Sequence, residues 1–291
     1  MTDPRTAARA KVIFNALPLE AGGGGVATYI RELLRAMPRA WGEGPAPELV
    51  AAVRTGHDQE LPPGVIPLAC PPTGGTRRAL RSLRGFGRFD LVHALDTDLP
   101  LRPGCPSVAT VHDLGVFDVP WAFPRTKAVA ERRLVAYSLR RADAVVAVSH
   151  FTAERLQSRL GIEATVIHEA PPSSLRPPTA PEVAAVREKY NLPEIFVLHV
   201  GNLEPRKDLA TVVAATRGAG LPLVLTGTRL WSTPVDLTGT RWLGRVPASS
   251  LPGLYGAATV TVSASIYEGF GLPPSKRWRA APRSSRPRCR R

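Results

Sequence analysis

The sequence predicts an α/β protein made of two doubly wound, parallel-sheet units, Rossmann-like in build, the second of them incomplete. Three observations predict this. Apolar strand-length runs alternate with helix-length amphipathic segments along most of the chain, the pattern of βαβ units and a mainly parallel sheet. A proline-rich break (Pro171-Pro172, Pro177-Pro178, Pro181) interrupts the alternation, which then restarts. The restart runs for only about a hundred residues before an Arg/Pro-rich tail, short for a unit in a domain range of roughly 100–200 residues. The expected boundaries are 1–175 for the first unit, 181–274 for the second and 275–291 for an aberrant basic tail.

The first unit opens with a buried strand over 11–17, followed by the run Gly22-Gly23-Gly24-Gly25. Val26, Tyr29, Ile30, Leu33, Leu34 and Met37 then recur at helical spacing. Further strands are expected at 49–53, 91–95, 107–111, 144–148 and 165–168, with helices at 127–141 and 151–160. In the second unit, 195–200 reads as a strand, 201–205 as a turn and 209–215 as a helix. Strands are expected again at 222–225, 241–243 and 259–263, with a short helix over 251–257.

Composition bounds the function classes. The 291 residues carry a formal charge of +14. Eight of the Lys and Arg lie from Lys276 onward with no acid among them, so the remainder is only modestly basic. Trp278 is the one aromatic residue in that tail, which gives stacking recognition of single strands little support, and no nucleic-acid partner is expected. A second basic cluster, Arg77, Arg78, Arg81, Arg84 and Arg88, sits on a helix-like stretch with Leu80, Leu83 and Phe86. It reads either as a solvated face or as a patch resting on anionic lipid headgroups. No apolar run reaches the roughly 18 residues of a membrane span, and the N-terminus lacks a basic-then-apolar leader pattern. Cys70, Cys105 and Cys289 are scattered, with neither zinc nor disulfide spacing. A cytoplasmic protein, peripheral on the inner face of the membrane where the arginine patch engages lipid, is the simplest reading.

Four places carry candidate chemistry. The 22–25 glycine loop precedes a helix and suits an anion or a closely approaching substrate; with no Gly-Lys-Ser/Thr after it, a flexible turn is an equal reading. His112-Asp113 ends the 107–111 strand, and ligands bind open α/β sheets at the carboxyl ends of strands. A lone strand-end histidine is more often structural, but the adjacent Asp113 makes a polar pair that fits core packing less well. Arg206-Lys207 follows the turn after the 195–200 strand, where a guanidinium fork and a point charge suit a diphosphate; a solvated basic loop is the plain alternative. Glu268, Gly269, Phe270, Gly271 and Leu272, then Pro273-Pro274, follow the 259–263 strand. Glycines allow backbone N–H groups to approach a phosphate, and a carboxylate beside them accepts hydrogen bonds from sugar hydroxyls. Their order suggests two sheets presenting all four to one ligand across a cleft. No serine or cysteine triad is apparent.

These residues resemble glycosyltransferase family 4, retaining sugar-nucleotide transferases of two-domain GT-B architecture, over roughly residues 11–274. The matching stretches are 22–33, Thr110-Val-His-Asp-Leu114, 142–149, Gly201-Asn-Leu-Glu-Pro-Arg-Lys207 and 268–274. The resemblance implies a hexosyltransferase that uses a nucleoside-diphosphate sugar and a glycan or lipid-linked acceptor, in cell-envelope polysaccharide synthesis. No metal and no further cofactor is expected. His112 and Glu268 would be catalytic. His112 would contact the transferred sugar and Glu268 its hydroxyls. Gly24, Gly25, Arg206, Lys207, Gly269, Phe270, Gly271 and Leu272 would bind the donor, with Arg206 and Lys207 on the diphosphate.

The pattern breaks after Pro274. The family's second glutamate falls eight positions after the first, where this chain has Lys276; losing a charged hydrogen bond there costs about 1.5–3 kcal/mol. A family-like continuation, Leu-Glu-Ala-Met-Ala-Cys-Gly-Ala-Pro-Val-Val-Ala-Ser, can be coded so that deleting its first base gives Ser275 through Pro287 as they stand. The expectation is therefore a one-base frameshift and a truncated second sheet, with an exposed edge, poor stability and weak or absent transferase activity. A non-catalytic remnant or binding protein of the same fold is the alternative.

Overall fold

The computed structural model describes residues 9–19, 24–41, 46–71, 86–100, 103–230 and 235–271. It divides into two compact units. The first runs to Phe117 and resumes over Val129–Glu169; the second takes Asp118–Ala128 and continues from Ala170. Both are α/β and, among the described residues, every strand pairing is parallel.

In the first unit, β1 (Lys11–Asn15), β2 (Glu48–Arg54), β3 (Val65–Cys70), β4 (Leu91–Ala94), β5 (Ser107–Val111), β6 (Ala144–Ala147) and β7 (Thr165–Val166) form one sheet in the order β3-β2-β1-β4-β5-β6-β7. Helices cover both faces of such a sheet, so its central strands read as continuous apolar runs. Leu49, Val50, Ala51, Ala52 and Val53 are all buried for this reason. Helix α1 (Gly25–Ala40) lays Ala27, Ile30 and Leu34 on one face, against Phe14, Leu49, Ala51 and Leu95. A separate cluster containing Ile13, Val92, Val111, Leu139 and Leu156 forms a second core. Chain direction across the sheet reverses between β1 and β4. That is the topological switch point, and the crevice beyond its carboxyl ends is where such sheets take ligands.

The short helix α2 (Gly115–Asp118) and helix α3 (Arg125–Leu139) follow β5. Helix α4 (His150–Leu160) has local reasons for its limits. Ser149 caps it by accepting from the Thr152 amide, and Gly161, at φ 67°, ends it in the left-handed conformation that glycine tolerates.

In the second unit, β8 (Val197–Val200), β9 (Leu223–Thr226), β10 (Arg241–Trp242) and β11 (Val260–Thr261) give the order β10-β9-β8-β11. Helices α5 (Ala180–Lys189), α6 (Leu209–Gly218) and α7 (Leu251–Ala257) accompany them. Here the switch point lies between β8 and β11. Phe196, Leu198, Val224, Leu254 and Tyr255 build one core, and Val197, Leu209, Val212, Val213, Leu223 and Leu225 another.

Several expectations are corrected. The sequence reading has no strand at 65–70, yet β3 pairs along the whole of β2 except its first residue. The stretch read as linker ends inside a helix: α5 begins at Ala180, with Pro181 in its first turn and a capping box between Thr179 and Glu182. Proline lacks only an N–H that the first turn leaves unpaired anyway, so it starts this helix rather than breaking it. The strand expected over 259–263 is limited to Val260–Thr261. It is an edge strand among the described residues, with Val260 and nearby Ile266 each about half exposed. Arg77, Arg78, Arg81 and Arg84, the loop residues Gly22 and Gly23, and everything from Leu272 onward lie outside the described residues.

Candidate functional site

In the first unit the polar residues gather at the carboxyl end of the sheet. His112 is the first residue after β5. Its Nε2 lies 3.0 Å from the backbone oxygen of Leu95, which follows β4. Its Nδ1 lies 2.6 Å from Glu169 Oε1, beyond β7. The Tyr29 ring of α1 meets the imidazole edge-on, with centroids 4.7 Å apart. Burial works against the charged ring, but the hydrogen bond to Glu169, the charges of Asp96 and Glu169 and the Leu95 carbonyl outweigh it and raise its pKa.

Beneath lies a neutral network. Tyr29 Oη is 3.5 Å from Thr110 Oγ1, which is 2.9 Å from His93 Nε2. Burial lowers the His93 pKa to about 4. Across the switch point Asn15 Nδ2 donates to the Asp98 carbonyl at 2.7 Å, and the Leu95 amide to the Asn15 carbonyl. Gly24 precedes α1 and Gly25 starts it, with no acid in the first turn. Asp113, beside His112, accepts from the Gly115 amide through Oδ1 at 2.8 Å and helps to start α2.

In the second unit the turn after β8 runs through Gly201 into a short 3-10 turn, Pro205–Lys207. Asp208 follows at φ 44°, a left-handed conformation that aspartate tolerates better than most residues. Its side chain accepts from the Thr211 amide and starts α6. After β11, the Ile266 amide donates to the Arg206 carbonyl at 2.9 Å and ties the two strand-end loops together. Successive side chains then diverge. Ile266 is exposed. Tyr267 packs on Val119 and Ala122, its hydroxyl donating to Asp118 Oδ2 at 3.1 Å. Glu268 meets Lys207, with Oε1 2.5 Å from Nζ.

Lys207 is almost wholly buried, its side chain 9 % exposed against 26 % for Glu268. Arg206 Nε donates to Glu204 Oε1 at 2.9 Å, and that carboxylate is itself buried. Gly271, at φ 83°, closes the described part of the glycine turn. Leu272 lies beyond it.

Sequence reasoning missed three residues here. Glu169 and Glu204 hold the predicted His112 and Arg206. His199 lies in β8 with Nδ1 3.2 Å from the Val262 carbonyl, while its buried Nε2 has no hydrogen-bond partner among the described residues. Burial lowers the His199 pKa, and the Lys207 charge adds to this against the pull of the Val262 carbonyl. Glu169 could have been found by the strand-end rule that selected His112, since it follows β7 closely.

Three comparisons bear on the family. The sequence model of Glycosyltransferase Family 4 matches residues 23–172, which takes in the His112 site and ends before Arg206. O-antigen chain mannosyltransferase B of Escherichia coli is 32 % identical over 216 residues, 68 % of this chain and 56 % of that protein. The chain thus spans little more than half the length of this curated relative. Among solved structures, sucrose-phosphate synthase from Thermosynechococcus elongatus superposes with a TM-score of 0.70 at 20 % identity, covering 94 % of this chain and 79 % of that one. Anabaena HepE in complex with UDP-glucose gives 0.64 at 17 % identity, covering 94 % and 79 %. At such identities the two structures bear on the fold alone, and they support the GT-B class that the sequence predicts. With the matched stretch covering just over half of its residues, the chain belongs to Glycosyltransferase Family 4.

Proposed function

We propose that the chain derives from a retaining hexosyltransferase that moves a sugar from a nucleoside-diphosphate donor to a glycan or lipid-linked acceptor. The observation that carries the reading is the meeting of Lys207 and Glu268, with Arg206 beside them, at the switch point of the second sheet. Glycosyl transfer builds negative charge on the departing nucleotide, and cations already in place there act where that charge develops. Arg206, steadied by Glu204, and Lys207 hold the diphosphate. Glu268 accepts hydrogen bonds from the sugar hydroxyls, and the amides of Gly269, Phe270 and Gly271 serve the phosphates, a role the same proposal extends to Leu272. His112 contacts the transferred sugar. Gly24 and Gly25 admit the donor phosphate or the acceptor at the start of α1. With Arg206 and Lys207 supplying the positive charge, the reading calls for no metal.

The relative's description as an O-antigen chain mannosyltransferase supports a hexose as the transferred group. Peripheral contact with anionic lipid through Arg77, Arg78, Arg81 and Arg84 belongs to the same proposal. Salt-dependent binding to anionic vesicles, lost when the four arginines are neutralised, is its test.

The test of the transferase reading is transfer from UDP- and GDP-sugars to a lipid-linked acceptor, with the product's anomeric configuration read by NMR. Transfer with retention is expected, weak in the 291-residue chain and stronger once the reading frame after Pro274 is restored. Inversion, or no transfer in either form, counts against it. A second reading, a remnant that binds donor without transferring it, rests on β11 standing at the edge of its sheet among the described residues. Donor binding with no transfer in the 291-residue chain supports that reading.

A further inference from the structure

The His112 ring lies along the carboxyl edge of the first sheet, and its two nitrogens point to opposite sides. Nδ1 faces Glu169, beyond β7. Nε2 faces Leu95, beyond β4 and next to the switch point between β1 and β4. A backbone carbonyl and a carboxylate both accept, so both ring nitrogens carry hydrogens and the ring is an imidazolium. Glu169 is nearly inaccessible, with 5 % of its side chain exposed against 12 % for His112.

We infer that Glu169 is a positioning residue: it holds His112 doubly protonated and turned so that Nε2–H, released from the Leu95 carbonyl, donates to an oxygen of the donor sugar at the switch point. This rests on the reading of His112 as a sugar contact. An imidazolium has no lone pair, so His112 serves as a hydrogen-bond donor and a positive charge, not as a base. No covalent or proton-transfer step is asked of it.

The groups around the ring agree. Tyr29, from α1, presents a ring whose hydroxyl is turned to Thr110 and kept protonated by burial. Asp96, after β4, adds a second negative charge. Thr152, from α4, reaches the His112 carbonyl at 3.4 Å and fixes the backbone beneath the ring. Asp113 is engaged with the Gly115 amide. Among the described residues the carboxylate bonded to the imidazole is therefore Glu169, and its removal takes the charged partner from Nδ1.

The experiment is a nitrogen-15 NMR titration of His112 in the full chain and in Glu169→Gln and Glu169→Asp, with donor affinity measured on the same samples using UDP-glucose and GDP-mannose. Circular dichroism melting checks that each variant folds. In the parent chain, His112 is expected to stay doubly protonated through neutral pH. In Glu169→Gln its midpoint falls by at least one pH unit and affinity for the bound donor weakens roughly tenfold above that midpoint; Glu169→Asp keeps part of both. An unchanged midpoint in Glu169→Gln overturns the inference, as does a lowered midpoint with unchanged donor affinity. If the parent chain titrates as expected but neither donor shifts the Nε2 resonance, the sugar-contact reading fails, while the Glu169 pairing is seen to stand. If Glu169→Gln does not fold, Glu169→Asp decides: a midpoint and affinity both equal to the parent's overturn the inference.

Discussion

Lys207 Nζ and Glu268 Oε1 lie 2.5 Å apart although 61 residues separate them in sequence. The Ile266-to-Arg206 backbone bond fixes the two strand-end loops against each other, and the pair follows from it. Neither residue could be paired by inspection of the sequence, because each follows a different strand and only the parallel register of β8 with β11 brings those ends together.

Removing the acid leaves an almost wholly buried ammonium without its charged partner. Glu268→Gln is therefore expected to lower stability by about 1–3 kcal/mol, the cost of a lost charged hydrogen bond. Donor affinity falls roughly tenfold to a hundredfold for the same reason. Chemical denaturation and calorimetric titration with a nucleotide sugar check both.

Arg206 is expected to act more on rate than on ground-state binding, since charge grows on the leaving diphosphate as the bond breaks. Arg206→Gln should lower kcat by on the order of a hundredfold with a smaller change in KM. Steady-state kinetics of parent and variant measure this. Equal kcat in variant and parent would place Arg206 outside the transition state.

Gly227 sets how closely the loops after β8 and β9 approach. It has φ 145°, and a Cβ there would fall 1.9 Å from the Gly201 carbonyl oxygen. No side chain fits without moving the turn that leads to Arg206 and Lys207. Gly227→Ala should cost about 3 kcal/mol or more, because backbone strain and overlap add. A melting temperature equal to the parent's would contradict the close approach.

Acid should destabilise the fold through its buried neutral histidines. The folded-state pKa of His93 is lowered to about 4 and that of His199 is also lowered. Their contribution is present above the unfolded value near 6.5 and is lost as pH falls toward the folded values. For His93 it amounts to about 3 kcal/mol at most. His112 works in the opposite sense: its pKa is raised, so its contribution is present below about 6.5 and is lost as pH rises through the folded value. Melting between pH 7 and 4.5 should show the parent losing stability faster than His93→Gln; parallel curves would remove His93 from the account.

The sequence made the alternation of strands and helices legible because buried parallel strands and amphipathic helices carry strong periodic signals. It also showed which strand ends bear polar residues, since His112, Arg206, Lys207 and Glu268 all follow apolar runs. It hid β3, whose Ile66, Pro67 and Ala69 are exposed and so lack a buried run. It hid α5 as well, because the prolines before and within its first turn read as a linker. Glu204 was invisible as a partner, because a supporting carboxylate in a turn has no signal of its own; Glu169 carried the strand-end signal, but nothing tied it to His112 until the fold brought the two together.

The gene beyond codon 274 offers an independent check. The frameshift proposal predicts a downstream frame that encodes Leu-Glu-Ala-Met and a further helix and strand. Absence of such a frame would make the basic tail a genuine part of the chain.

The central claim is that the second sheet's switch point holds a nucleoside-diphosphate sugar. Calorimetric titration of the 291-residue chain with UDP- and GDP-sugars, alongside Arg206→Gln with Lys207→Met, tests it most directly. Saturable binding of at least one donor, lost in the double variant, is the predicted result. Binding of none, or equal binding by parent and double variant, would contradict it.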